Sequence, residues 1–407
     1  MNIAKNYWLH IFPQVYCCIK NEQLLLYHTQ TGAYMENNTK EVVALMQELH
    51  QKHNLGAVSI EEKQLDTAPY KSFIAEFIEK DMGGLVDSSQ EKPIQLMPVL
   101  NLQRDIEKLQ KDRERFTGED VLHYLLELNI YVNDACSAQC PLCTTCFRQN
   151  MCCTSNSKQQ DLSKKMLQNI LAKTQHAPVG KLNILGGNIL QYAHYEELET
   201  MLQPFKERTH LWLHYLNIAK AETLFSGYKY DIPVTFPVNE SAFSACVNRL
   251  SKEQATFHFF ITGEEDYNQA EHLFSIHAIT NYRLHPIYTE MNKHFFEENV
   301  YLTKDDIFSN PLSFCEIFAH QKLNTNFFGS LTLMPDGEVY ANVNSSALGN
   351  ITTDTLLDLI NKEMNDNTAW RKIRSEAPCS GCLYQYLCPS PANYEYLIGR
   401  PNLCHLT

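Results

Sequence analysis

The chain has 407 residues, 44% of them apolar and 20% charged, which are globular values at a length that suits about two or three domains. A formal charge of −13 argues against nucleic acid as a partner, because polyanions attract basic surfaces. No apolar run is long enough to span a bilayer, and the N-terminus (MNIAKNYWLHIF) lacks a basic region and an apolar stretch of signal length, so a cytoplasmic protein without a membrane partner is expected.

Residues 1–86 read as an α+β unit. "YWLHIFPQVYCCI" and "EQLLLYHT" are strand-like runs, and "NTKEVVALMQELHQKH" follows with Val42, Val43, Met46 and Leu49 on one helical face behind a cap at Asn38. "YKSFIAEFIEKDMGG" predicts a second helix ending at Gly83 and Gly84. Residues 87–122 combine a linker with a polar, helix-like stretch, "DIEKLQKDRERF".

Over 123–309 short apolar strands alternate with helical segments: "LNIYVN", "KLNILGG", "LWLHYLN", "IPVTFPVN", "TFHFFITG" and "NYRLHPIYT". Strands separated by helical crossovers imply an α/β domain with a parallel sheet, a partial (β/α)6 barrel, whose chemistry gathers where strands end and loops begin. Asn239 and Glu264 stand at or just past the ends of strands four and five and are positional candidates only. From 310 to 407 hairpins and loops take over, with a turn at Pro335-Asp336-Gly337 and a capped helix in "TTDTLLDLINKEM".

Fourteen cysteines without a secretion signal point to metal or redox chemistry rather than disulfides. Cys17, Cys18, Cys246 and Cys315 are scattered and expected to be buried as small apolar side chains. Cys136, Cys140 and Cys143 have the spacing C-x3-C-x2-C just after the first barrel strand. Three such thiolates can hold three irons of a [4Fe–4S] cube and leave the fourth open to a ligand. A structural zinc site or inert loop thiols is the plainer alternative, since Cys143 and Cys146 also form C-x2-C. Cys379, Cys382, Cys388 and Cys404 form a second constellation whose four thiolates would close a site to substrate.

The first motif, in this strand context, resembles the radical S-adenosylmethionine superfamily, and Gly186-Gly187-Asn188 resembles its Gly-Gly-Glu element. The resemblance implies a [4Fe–4S] cluster on Cys136, Cys140 and Cys143 with an open iron that binds S-adenosylmethionine and cleaves it to a 5′-deoxyadenosyl radical. It implies that Gly186, Gly187 and Asn188 help to seat that cofactor. The second constellation resembles the SPASM domain of peptide-modifying radical enzymes, which implies a metal site on Cys379, Cys382, Cys388 and Cys404. Asn342 and Ala392 stand where further SPASM cysteines would be, so one auxiliary [4Fe–4S] cluster is expected, with zinc as the alternative. The segments "LLLYHTQTG", "LNILGGN", "GEVYANVN" and "CPSPANYE" resemble the pseudo-radical-SAM proteins found beside a true maturase and double-glycine-leader peptides. That implies maturation of a ribosomally made peptide, with the precursor and its leader, and a second radical maturase, as partners. The N-terminal unit is similar to a peptide-recognition element, in which a leader would add as a strand along an open edge. Three functions follow: a radical enzyme, a catalytically inactive partner that presents the peptide, or a zinc-stapled scaffold.

Overall fold

The computed structural model describes residues 5–95, 121–138, 140–154, 159–175 and 177–406, so the helix-like stretch at 105–116 lies outside the described residues. Pro13 divides the first predicted strand run. Upstream of it β1 (Asn6–Ile11) and downstream β2 (Val15–Lys20) enter different sheets. β2, β3 (Gln23–His28) and β4 (Tyr34–Asn37) form one antiparallel meander with β3 central. The helix Lys40–Leu49 buries Val42, Val43, Met46 and Leu49 as its periodicity requires, but starts one residue later than expected, behind Thr39. β1 is the centre of the other sheet, flanked by β5 (Ala57–Glu61) and β6 (Gly83–Asp87).

β6 corrects a sequence expectation. The helix Ala68–Glu79 ends before Gly83 and Gly84, which begin a strand instead. A Cβ on Gly83 would fall 2.0 Å from the His10 carbonyl oxygen, so only glycine lets this strand close on β1.

The six expected central strands are present: β7 (Glu127–Tyr131), β8 (Lys181–Leu185), β9 (Thr209–Trp212), β10 (Lys229–Thr235), β11 (Ala255–Ile261) and β12 (Tyr282–Pro286). They pair in parallel and in chain order. β9 is shorter than "LWLHYLN" suggested, because Tyr215–Lys220 is helical and His214 caps it, its Nδ1 accepting the Leu216 N–H at 3.3 Å. Beyond β7, β13 (Ser330–Leu333) adds in parallel and hairpins into β14 (Glu338–Tyr340) and β15 (Gly349–Asn350). The protein is thus a mixed α/β fold around a large, mostly parallel sheet of nine strands with open edges at β12 and β15. Gly337 sits at φ +87°, the left-handed turn position its sequence context called for.

The two faces of this sheet differ in character. Leu128, Ile130, Leu182, Ile184, Leu211, Ile232, Val234, Phe257 and Phe259 point to one face and share one apolar core with Leu167, Ile170 and Leu198 of the crossover helices. Alternate residues point to the other, concave face. That face carries polar side chains such as Asn129, Asn183, Asp231 and His258, with an apolar cluster of Tyr131, Leu185 and Trp212 toward the strand ends, and it holds the candidate site.

The C-terminal cysteine segment is packed on the β2–β3–β4 sheet, with Cys18, Leu25, Tyr27, Leu383 and Leu387 in one cluster. Lys20 donates to the Ser380 carbonyl at 2.8 Å and also meets Gln385, and the Tyr384 hydroxyl donates to Glu36 at 2.7 Å. The scattered cysteines divide: Cys18 and Cys246 are buried and Cys17 half-buried, but Cys315 is exposed on the helix Phe314–Lys322, against expectation. It falls on the solvent side of that helix, whose buried residue is Ile317.

Candidate functional site

The chain leaves β7 at its C-terminal end and passes through Asn133, Asp134 and Ala135 into the cysteine loop. The loop after β8 closes on it: Gly187 N–H donates to Asn133 O at 3.0 Å and Asn188 N–H to Ala135 O at 2.7 Å. A Cβ on Gly186 would lie 2.1 Å from Asn133 Oδ1, and one on Gly187 2.4 Å from Ala135 O. The glycine pair therefore has a structural cause, since the two strand-end loops touch backbone to backbone there. Asn188 is buried, and its side-chain Oδ1 caps a short turn by accepting the Leu190 N–H at 3.2 Å.

Cys136, Cys140 and Cys143 are all half-buried in this one loop, with Cys143 opening the helix Cys143–Gln149. Each sulfur has a polar neighbour. Asn217 Nδ2 lies 3.9 Å from Cys136 Sγ, His214 Nε2 lies 3.5 Å from Cys140 Sγ, and Cys143 Sγ is 3.7 Å from Cys153 O. Burial pushes the Cys140 thiol up to about 12. Cys146, Cys152 and Cys153 are buried with Phe260 and Ile287, forming an apolar layer between the loop and the end of β11. Within that layer hydrogen bonds from Cys143 and Cys152 hold Cys153 down, while Cys152 is held up by its thiol neighbours Cys146 and Cys153 and by burial. These three cysteines, whose role was not legible in the motif, pack the loop onto the sheet. The donor chemistry fits a thiophilic group, with three half-buried sulfurs on one strand-end loop. Among the described residues, however, no group of three or more His, Cys, Asp or Glu side chains is set in an arrangement ready to hold a metal ion.

Below the loop, the concave face carries two hydrogen-bonded groups of polar side chains joined by a ring contact. Asn129 donates to Ser330 Oγ at 3.0 Å and to Thr332 Oγ1 at 3.3 Å, and accepts from Asn183 at 2.7 Å. Asn183 Oδ1 accepts the Trp212 indole N–H at 3.0 Å, and the indole packs on His258 with ring centroids 4.5 Å apart. Asp231 accepts from His210 Nδ1 at 2.6 Å and from His258 Nε2 at 2.7 Å, and His258 Nδ1 meets His285 Nε2 at 2.9 Å. Burial pushes Asp231 up, but the bonds from His210 and His258 outweigh it and hold the carboxyl below its ordinary range. Burial lowers His258 and His285, so both imidazoles are neutral near pH 7. A cavity of about 390 Å³ opens on this face between β7, β13 and the cysteine-loop helix, lined by Glu127, Asn129, Tyr131, Phe147, Ser330 and Thr332. Asn342 and Ala392 line it too, and Asn342 is tied to Asn393 at 2.8 Å.

Sequence reasoning passed over Asn129, Asn183, Asp231, His258 and His285. Their signal was a polar residue inside an otherwise apolar strand, repeated from strand to strand. Asn239 and Glu264 turn out as helix-start residues: Asn239 Oδ1 accepts the Ala242 N–H at 3.0 Å, and Glu264 lies in the first turn of the helix Glu264–His277.

The four late cysteines are brought together. Cys382 and Cys388 are half-buried, Cys379 is buried, and each of these three feels the charge of other members of the group, Cys404 included. Burial raises all three. Arg374 stitches the segment, donating to Pro389 O at 2.6 Å, to Pro401 O at 3.2 Å and to Glu395 Oε1 at 2.7 Å.

No protein-family model matches the chain, and no curated protein matches it in sequence. Among solved structures it is similar to Streptococcus suis SuiB bound to S-adenosylmethionine, at 14% identity and a TM-score of 0.44, over 98% of this chain and 100% of that one. A second SuiB structure gives 14% identity and a TM-score of 0.40 over the same 98% and 100%. BtrN in complex with AdoMet and 2-DOIA gives 11% and 0.28, over 59% of this chain and 84% of that one. Likeness at these scores assigns neither family nor activity.

Proposed function

We propose that the chain is a radical S-adenosylmethionine-type protein that acts in the maturation of a ribosomally made peptide, with Cys136, Cys140 and Cys143 as ligands of a [4Fe–4S] cluster. The observation that carries this reading is the position of the C-x3-C-x2-C loop. It leaves the first strand of six parallel strands in chain order, at their C-terminal edge, above the concave face. When bound, the cluster would supply the electron for cleavage of S-adenosylmethionine. The chain's own residues do the rest. His214 and Asn217 present N–H groups to the sulfurs of Cys140 and Cys136, the kind of outer contact that orients ligands. The Cys146–Cys152–Cys153 layer keeps water from the inner side of the loop.

In the same reading Gly186, Gly187 and Asn188 bring the neighbouring loop against the cysteine loop to seat the cofactor. Cys379, Cys382, Cys388 and Cys404 hold one auxiliary cluster, or zinc. The precursor peptide docks along the edge strand β4, where a groove of about 640 Å³ runs between Glu36, Asn37 and Asn38 and the segment containing Gly381, Cys382 and Tyr384.

Protein reconstituted anaerobically, reduced with dithionite and given S-adenosylmethionine should release 5′-deoxyadenosine. Replacing Cys136, Cys140 and Cys143 by Ala should abolish release and leave the C-terminal metal in place. A second reading, a catalytically inactive partner that presents the peptide, is favoured by the use of Asn188 Oδ1 as a local cap. Peptide binding without nucleoside release would select it.

A further inference from the structure

A cavity of about 410 Å³ lies in the C-terminal segment, where the turn after the helix Leu356–Asp366 meets the end of the helix Asn393–Ile398. None of its lining residues belongs to a barrel strand or is a cysteine. Its wall carries four cations, Arg371, Lys372, Arg374 and Arg400, and two carboxylates, Glu376 and Glu395. In a chain of net charge −13 that is a reversal of the general balance.

The four cations are not used alike. Arg374 is matched by Glu395, whose Oε1 accepts from its Nη2 at 2.7 Å. Lys372 Nζ lies instead over the Tyr396 ring, 5.5 Å from its centroid, and the Arg400 guanidinium over the Tyr301 ring, also at 5.5 Å. A ring face holds a cation in place without cancelling its charge. Arg371 is half-buried; its Nη2 donates to Met364 O at 2.6 Å, but its Nε is buried with no hydrogen-bond partner. A buried N–H without an acceptor is unfavourable, and a bound oxygen would relieve it. Glu363 attracts this guanidinium too, although its two oxygens already accept from Thr368, Ala369 and Trp370. The Tyr396 hydroxyl, pushed up to about 12 by burial and neighbouring carboxylates, stays protonated and adds a neutral donor.

Once Arg374 and Glu395 are set aside as a pair, three cations of the wall face one carboxylate, an excess of two positive charges. We propose that this cavity binds the phosphate group of a small phosphomonoester. Such a group carries about 1.5–2 negative charges near neutral pH, which balances the excess, whereas a single carboxylate carries one. Guanidinium forks and a lysine point charge are the customary partners of its oxygens. The cavity is also large enough to take the carbon body of the ester, being of the size that holds small molecules rather than a bare ion. Binding is reversible and makes no covalent bond. The inference goes beyond the function proposed above and needs no metal at either cysteine constellation.

Isothermal titration calorimetry of the full chain with glycerol 2-phosphate tests this. One site is expected, and Lys372→Gln and Arg400→Gln should each weaken it about tenfold, the effect of losing one charged contact. Both side chains are exposed and their charged ends rest on rings, so the variants should fold, with unchanged urea midpoints. Lys52→Gln, which removes an exposed cation of the N-terminal unit, should leave the affinity as it was. An absence of saturable binding, or one affinity shared by all three variants, overturns the proposal. Inorganic phosphate and succinate separate the ligand classes: the free ion should bind less tightly than the ester, and the dicarboxylate more weakly still. Phosphate as tight as the ester would make this a bare-ion site, and succinate as tight would make it a carboxylate site; either result overturns the assignment.

Discussion

His214 Nε2 lies 3.5 Å from the sulfur of Cys140, and the direction of that contact is fixed by the other ring nitrogen. Nδ1 accepts the Leu216 N–H, and burial keeps the ring neutral, so the proton sits on Nε2. The same Nε2 is 3.1 Å from Thr235 Oγ1, so His214 shares one proton between the sulfur and the hydroxyl. A donor aimed at a ligand sulfur favours the more negative, reduced state of a cluster. If Cys140 is a ligand of the proposed cluster, His214→Phe should keep iron and sulfide content but lower the cluster's midpoint potential, on the order of tens of millivolts, in a spectroelectrochemical titration. An unmoved potential with iron retained would place the hydrogen bond on Thr235 alone.

Gly187 tests the loop contact more cleanly than Gly186, because its nearest obstacle is backbone. An added Cβ meets Ala135 O at 2.4 Å and cannot be relieved by a side-chain rotation. Gly187→Ala should cost about 1–3 kcal/mol in urea denaturation, the usual range for overpacking. It should also speed alkylation of Cys136 by iodoacetamide, as the cysteine loop lifts away from the loop after β8.

The legible part of this molecule was what repeats along the chain. Apolar strands and amphipathic crossovers gave the six-strand order, and the cysteine spacing gave a loop that the structure does place at the end of β7. Features made by close approach were not legible. Gly83 and Gly84 read as a helix stop, but they are the price of packing β6 against β1. His214 read as part of a strand, yet it is the residue that turns the chain and faces Cys140. Asp231, His258 and His285 sit on three strands, 27 residues apart at each step, and nothing local marks them as one chain of contacts. Only the register between strands brings them together.

The buried imidazoles set a pH dependence whose sign can be worked out. His258 and His214 have folded values below the ordinary 6.5, so the unfolded chain binds protons that the folded one does not. Stability should be flat above about pH 7 and fall as pH drops below about 6, by about 1.4 kcal/mol per pH unit for each ring that stays neutral. Urea midpoints between pH 7.5 and 5.5 measure this. His258→Gln should remove one such contribution and flatten the profile. A midpoint that rises on acidification would mean that the rings are charged in the folded state.

The Arg374–Glu395 pair makes the strongest claim about the C-terminal segment. Both side chains are buried, and the guanidinium also holds the carbonyls of Pro389 and Pro401, which lie just inside the two ends of the stretch from Cys388 to Cys404. Glu395 spends its second oxygen on the Ala392 N–H at 2.8 Å, the start of the helix Asn393–Ile398. Removing the carboxylate leaves a buried cation without its partner and a helix start without its cap. Glu395→Ala should therefore cost about 3–5 kcal/mol, more than a surface ion pair could. Because the lost contacts join Glu395 only to Arg374 and Ala392, the damage should be local, with faster hydrogen exchange over 393–404 and unchanged exchange in β7 and β8. If Cys379, Cys382, Cys388 and Cys404 share a metal, loading with it should restore most of that protection, since the metal would bridge the two ends that Arg374 otherwise clamps. Protection that metal leaves unchanged would show that the four thiols are packed together without being a site.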